Sequence, residues 1–378
     1  MKVFKGLAAA FALAASAGAT ASDWPSPQSH QAPRAVYTQT NASAGNEILV
    51  FRRAYDGDLQ LISKVSTRGV GTDGGLGNQG SLLLRGDGRR LYAVNAGSND
   101  ISVFATRPSG LALIERVPSG GTRPISLTLH GEVLYVLNAG DASLGAAANI
   151  TGFYIGDDRR LNAIPGSTQS LSTANPAPAQ IQFHPWGDTL VVTEKATNKI
   201  DLFDVYDGVA GSAAVRGSNG QTPFGFAFDK RGHLIVSEAF GGAANASALS
   251  SYDIDDAASP LELISGSVPT QQTAACWVIV TKNGRFAYTT NTASGTISGY
   301  RISHAGRLAL LDASGVTGST GAGSGPIDLA LSSDSRFLFS LNTGTGTISS
   351  FRVHADGHLV AVSTELALPG SANGLAAY

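Results

Sequence analysis

The chain has one cysteine and one methionine in 378 residues, and only 14% of its residues are charged. A single cysteine, Cys276, excludes an intrachain disulfide. Twenty-six Lys+Arg against 28 Asp+Glu give no basic field to attract nucleic acid or anionic lipid, so neither partner is expected. Beyond residue 21 no apolar run approaches membrane-spanning length, and no stretch sustains the 3.6-residue period of a helix. The seven histidines show no His-x-His or His-Glu-x-x-His spacing, which argues against zinc. No Gly-x-Ser-x-Gly elbow occurs, and Cys276, between Ala275 and Trp277, reads as buried and inert rather than nucleophilic. The Gly-rich run Gly74–Gly80 precedes a strand rather than a helix, so it does not read as a phosphate cradle. No cofactor is expected.

What is present is glycine, 46 residues of it, and a repeat. The clearest copy, Gly323–Gly357, runs from a Gly-Pro lead through Ile327–Leu331, a polar hairpin, Phe337–Asn342, a Gly/Thr loop and Thr347–Val353. Each apolar run has strand length and is bounded by turn residues; with the run after Gly357 they make a four-stranded antiparallel meander. The second strand and its polar terminus recur as LYAVN, LYVLN, LVVTE, LIVSE, FAYTTN and FLFSLN, ending at Asn95, Asn138, Glu194, Glu238, Asn291 and Asn342. An eroded first copy, Ala35–Asn41, makes seven. Four strands every roughly 40–50 residues is the signature of a β-propeller, so the fold expected is all-β, seven-bladed, with four-stranded blades.

The blades are expected at Ala35–Thr67, Gly77–Gly121, Thr122–Ser172, Asn175–Gly220, Gln221–Gln271, Gln272–Gly318 and Gly323–Pro369. The first lacks an innermost strand, and the orphan Gly370–Tyr378 resembles the missing piece. A C-terminal strand joining the N-terminal blade would close the ring and remove its edges. The Ala/Gly insertions Asp141–Ala148 and Gly241–Ala248 read as long loops. A monomer is expected.

Residues 1–21 carry Lys2 and Lys5, the apolar run Leu7–Ala17 and the small-x-small sequence Ala19-Thr20-Ala21. This is the pattern of a secretory signal peptide, followed by a Pro-rich lead-in at 22–34. The mature chain would be secreted or at the cell surface (periplasmic in a bacterium), and loss of the two lysines would take its net charge from −2 to −4. Asn41, Asn149 and Asn245 begin Asn-x-Ser/Thr sequons, glycan acceptors in a eukaryotic host.

Fold does not give function, and a site must be argued from residues. In a propeller, the starts of the inner strands and the ends of the second strands gather around one mouth of the central channel. The starts include Gln79, Arg123, Gln180, Phe224, Trp277 and Asp328; the ends are the Asn/Glu set above. An Asn at a strand end also fits a purely local role, because its side chain bonds the following backbone. Glu194 and Glu238 are less easily explained, since Glu is depleted in strands and suits such turns poorly. The two carboxylates fit a general acid or base, or a structural anchor; Arg123 fits a carboxylate ligand or one of those glutamates. Asn95, Asn138, Asn291, Asn342, Gln79 and Gln180 would supply amide contacts to substrate. An oxygen-rich ring suits Ca²⁺, but no compact acidic loop accompanies it, and no metal is expected.

From Ala35 to Tyr378 the chain resembles the seven-bladed lactonase family, which includes 6-phosphogluconolactonase-like proteins and 3-carboxymuconate cyclases. The resemblance rests on repeated Pro…Gly…Leu-Tyr-x-x-Asn units and on runs such as GLGNQGSLLLRGDGRRLYAVNAGSNDISVF, VVTEKATNKIDLF, TPFGFAFDKRGHLIVSEAFGG and QTAACWVIVTKNGRFAYTTNTASGTISGY. It looks like an exported branch labelled 3-carboxymuconate cyclase-like. It implies a small lactone or muconate-type carboxylate as ligand. Phosphogluconolactonase-type members carry a His-x-His pair opening a middle inner strand, where this chain has Ala177 and Ala179. Two functions are therefore weighed. One is an exported lactonase or lactonizing enzyme using Glu194 or Glu238 with Arg123; the other is a non-catalytic secreted glycoprotein whose propeller is a binding scaffold.

Overall fold

A computed structural model of the chain describes residues 34–365 and 367–378; the expected signal peptide, and the lead-in up to residue 33, lie outside the described residues. Seven antiparallel sheets follow one another along the chain, four with four strands and three with a fourth strand split in two. Seven blades of four-stranded antiparallel sheet are thus what the repeat folds into. The second strands are the most buried: Phe337–Asn342, Phe286–Asn291 and Thr189–Glu194 are buried at every residue. Each lies in the middle of a blade with a neighbouring blade on both faces, so the apolar run need not alternate. Outer strands such as Leu59–Ser66 face solvent and are largely exposed.

Burial between blades supplies the core. Val36, Leu49 and Phe51 of the first blade pack with Phe337, Phe339 and Leu341 of the seventh; Tyr288 and Ile297 of the sixth pack with Leu329 and Leu338 of the seventh. Apolar burial of this kind contributes about 25 cal/mol per Å², enough over seven interfaces to dispense with a disulfide.

The ring closes as expected. The C-terminal strand Asn373–Ala377 is the innermost strand of the first blade and pairs with Ala35–Gln39, placing Val36 opposite Ala377 and Thr38 opposite Leu375. Thr38 Oγ1 donates to Gly374 O at 2.7 Å, and Ser81 Oγ of the second blade donates to Asn373 Oδ1 at 2.6 Å.

The hairpins between first and second strands share a turn chemistry. In it an Asp or Asn carboxyl or amide oxygen accepts from the N–H two residues on, as in Asp87–Arg89, Asp229–Arg231, Asn283–Arg285 and Asp334–Arg336. The two Ala/Gly insertions differ from plain loops: the first holds a 3₁₀ turn at Ala142–Leu144, and in the second Phe240, Gly241 and Gly242 all take the left-handed region, with φ 48°, 62° and 81°. Asp141 caps the first by accepting from Ser143 N–H. Of the three sequon asparagines, Asn245 is exposed, whereas Asn41 is buried and donates to Gly74 O at 2.7 Å.

Candidate functional site at the channel mouth

Strand direction places the starts of the inner strands and the ends of the second strands on one face of the ring. Five inner strands are preceded by a residue in the left-handed region: Arg123 (φ 60°), Ala177 (51°), Thr222 (56°), Ala274 (60°) and Gly325 (57°). Arg123 and the β-branched Thr222 are the strained members, at a backbone position that glycine fills without strain. Asn99 Oδ1 holds this backbone by accepting from Arg123 N–H at 2.7 Å.

The six second-strand termini do not line the mouth. Asn95, Asn138, Glu194, Glu238, Asn291 and Asn342 are all 0% exposed. Their side chains bond to the third strand of their own blade and to the loop leading into it. Asn95 Nδ2 donates to Ser102 Oγ at 2.8 Å, Asn291 Nδ2 to Ser298 Oγ at 2.8 Å and Asn342 Nδ2 to Ser349 Oγ at 2.9 Å. Asn138 Nδ2 reaches Asn149 Oδ1 at 2.8 Å. These asparagines tie their blades together through side chains of the third strand rather than by bonding the following backbone, the local role expected of a strand-end Asn.

The glutamates follow the same plan, which corrects the expectation that they face Arg123 across the mouth. Glu238 Oε1 accepts from Gly220 N–H at 2.9 Å and Ser250 Oγ at 2.5 Å, and Oε2 from Ser267 Oγ at 2.6 Å. Burial raises the Glu238 pKa, and these three donors oppose the rise. Glu194 Oε1 accepts from Ser172 N–H at 3.0 Å, a donor it shares with Asp201 Oδ2, also at 3.0 Å. Burial, then the hydrogen bond and charge of Glu194, push Asp201 up to about 8. Both carboxylates act as anchors inside blades.

The glutamine amides are also occupied, which corrects their assignment to substrate. Gln79 crosses the channel from blade two to blade six: its Nε2 donates to Val278 O at 2.7 Å and its Oε1 accepts from Val278 N–H at 3.0 Å. Gln180 does the same to Phe226 of blade five, at 2.9 and 2.7 Å. Asn78 and Gln79 therefore fill the channel, with Trp277 Nε1 donating to Asn78 O at 2.5 Å. Gly225 passes so close to Gln79 Oε1 and Cys276 O that a Cβ there would collide with both. Phe224, Trp277, Cys276 and Ala179 complete an apolar plug. Burial pushes the Cys276 thiol up to about 11, so it is not ionised at neutral pH, in line with an inert cysteine.

Above the plug stands a residue the sequence reading passed over, Lys195. Its Nζ donates to Pro178 O at 2.9 Å and to Gly77 O, and lies 4.8 Å from the centre of the Phe224 ring. Burial pulls its pKa down to about 8, opposed by the Cys276 thiol and reinforced by the positive charge of Arg123. Two of its three N–H donors are engaged. Arg123 lines an adjoining cleft of about 410 Å³ with Thr72, Gly74, Asn99 and Asp141. Its Nε–H is buried without an acceptor. The two cations thus come from neighbouring blades on the same face, and the charge of Arg123 adds to the lowering of the Lys195 pKa. The signal for Lys195 was alternation: Glu194 points into the blade, so the next residue points away from it.

The chain is thus a closed seven-bladed propeller whose channel is plugged by its own side chains. The sequence model of the lactonase family, described as "Lactonase, 7-bladed beta-propeller", matches residues 30–147 and 238–375, and the chain belongs to that family. A search of curated proteins gave no match. Among solved structures, a candidate 6-phosphogluconolactonase from Bacteroides fragilis is 18% identical over 94% of this chain and 99% of its own, with a TM-score of 0.69. A protein from Lactobacillus plantarum is 17% identical over 91% and 99%, TM-score 0.68. The periplasmic gluconolactonase of Pseudomonas aeruginosa is 19% identical over 88% and 82%, TM-score 0.53. At these identities the likeness is one of fold.

Proposed function

We propose that this protein acts, outside the cytoplasm, on a small lactone of a sugar acid or muconate-type carboxylate, bound at the channel mouth by Lys195 and Arg123. One observation carries the reading: Lys195, beside the apolar plug, and Arg123, in the cleft lined by Asn99 and Asp141, come from adjacent blades on one face, each with an N–H left without an acceptor. A planar guanidinium suits a ligand carboxylate. The unengaged N–H of Lys195 suits the oxyanion that forms when water adds to a lactone carbonyl, and such a contact strengthens as charge develops. Family membership and the gluconolactonase named among the structural neighbours support a lactone as the substrate class.

A second reading, a binding scaffold without turnover, is favoured by one specific fact: both glutamates expected to move protons are tied up inside blades. The same assay separates the two. Hydrolysis of a panel of five- and six-membered aldonolactones is followed for the natural protein and for Lys195→Met, beside calorimetric binding of the ring-opened aldonates. Turnover falling about 10²-fold in the variant supports the lactonase. Binding lost in the variant, with no turnover by the natural protein, supports the scaffold. Neither turnover nor binding would overturn both.

A further inference from the structure

The face opposite the mouth carries an arginine that the proposed site does not include. Arg53 ends the third strand of the first blade, Glu47–Arg53, and is only 8% exposed. Its Nε–H has no acceptor, and one terminal nitrogen reaches Ala54 O at a marginal 3.5 Å. Burial lowers its pKa; Asp334 opposes this and Arg34 adds to it. Arg53 forms no ion pair among the described residues. Asp334 is engaged elsewhere, accepting from Ser332 Oγ at 2.6 Å and Arg336 N–H at 3.0 Å. A guanidinium stays charged at any physiological pH, so a dehydrated one without a counter-charge is held at a cost that a bound anion would offset.

The surroundings indicate what kind of anion. The Phe337 ring of blade seven has the guanidinium carbon of Arg53 4.7 Å from its centre and that of Arg352 5.3 Å from it. Arg34 lies 3.5 Å from the centre of the Tyr55 ring, and Tyr55 is 83% exposed. Arg34 and Arg352 are exposed as well. Two exposed guanidiniums and an exposed aromatic ring thus flank the nearly buried guanidinium of Arg53 at the seam where blade one meets blade seven. We propose that this seam binds an acidic polysaccharide, a chain of sugars each bearing a carboxylate. The guanidinium fork matches a carboxylate in two parallel hydrogen bonds, and an exposed aromatic ring offers an apolar platform to a pyranose. Small ligands take concave pockets; exposed guanidiniums on either side of an unpaired buried one suit an extended polyanion. A chain lying across the seam would brace the ring at its closure.

The test titrates trigalacturonate into the intact protein, with maltotriose, anionic phospholipid vesicles and single-stranded DNA as comparison ligands. Trigalacturonate is expected to bind, to weaken as salt rises, and to raise Tm; maltotriose is expected to do neither. Arg53→Gln should lower affinity at least tenfold. Because that variant alters a buried group, Arg34→Gln/Arg352→Gln and Tyr55→Ala, all at exposed positions, provide a second measurement and should each weaken binding. Lys195→Met, on the other face, should leave it unchanged. Absence of trigalacturonate binding overturns the proposal. So does equal binding of maltotriose, retention of affinity in both sets of exposed variants, or a preference for vesicles or DNA.

Discussion

The side chain of Gln79 pairs with both backbone groups of Val278, 199 residues further along the chain, much as a neighbouring strand would. Gln79→Ala should leave that N–H and C=O without partners across the channel. Each orphaned buried group costs about 1–3 kcal/mol, so the variant is expected to melt several degrees lower. Gln79→Glu should be no better, because a carboxylate cannot donate to Val278 O. A thermal melt unchanged in both variants would show that the channel plug is dispensable.

Closure gives the second prediction. Removing 371–378 deletes the innermost strand of blade one and exposes the edges of Ala35–Gln39 and of Leu82–Leu84 beside it. Asp328 loses its hydrogen bond from Leu375 N–H as well. The truncated protein is expected to unfold far more readily and to aggregate through the open edge. Equal Tm and solubility for the truncated and full chains would contradict this.

The architecture was legible because strand length, turn residues and period are local properties repeated seven times. Seven blades and the C-terminal closure followed from them, and the structure has both. The mouth was less legible, for a geometric reason. Sequence position says where a strand ends but not which way its last side chain turns, and Glu194 and Glu238 turn back onto their own blades. Lys195, one residue further, turns toward the axis. Leu76–Gly80 carried no periodicity at all, so its passage through the channel as Asn78 and Gln79 had no local signal. Of the expected site residues, Arg123 lines the cleft of about 410 Å³ at that face.

Asp201 supplies a third prediction through its shared donor with Glu194. Its carboxyl titrates near 8 in the folded chain against an ordinary value of 3.8. Between those values the folded state holds a proton that the unfolded state has released, so stability falls as pH rises through that window. Asp201→Asn should flatten that slope and raise Tm at pH 8 and above, while lactone turnover stays unchanged. Glu194→Gln should likewise relieve the pair and leave turnover unchanged. A tenfold loss of turnover in either variant would return this carboxyl pair to the chemistry.

The N-terminal pattern gives a fourth. Secreted material is expected to begin near Ser22, with Lys2 and Lys5 removed. Peptide sequencing that finds residues 1–21 on the exported protein would refute the cleavage.

Lys195 separates stability from function. Its pKa is about 8 in the folded protein against an ordinary 10.5. Here the unfolded state holds the extra proton between those values, so stability rises with pH from about 8 to 10.5, and below 8 the full cost of burying the ammonium is borne. Two carbonyl acceptors and the Phe224 ring offset part of that cost. Lys195→Met fills similar space with no charge to bury. It should therefore melt higher than the natural protein at pH 7, with the gain shrinking as pH approaches 10.5, while ligand binding at the mouth is lost. A residue kept for packing would behave oppositely, its replacement lowering Tm and sparing the ligand. Measuring Tm from pH 6 to 10 beside aldonate affinity decides between them, because a single variant must move the two readouts in opposite directions if the lysine is there for function.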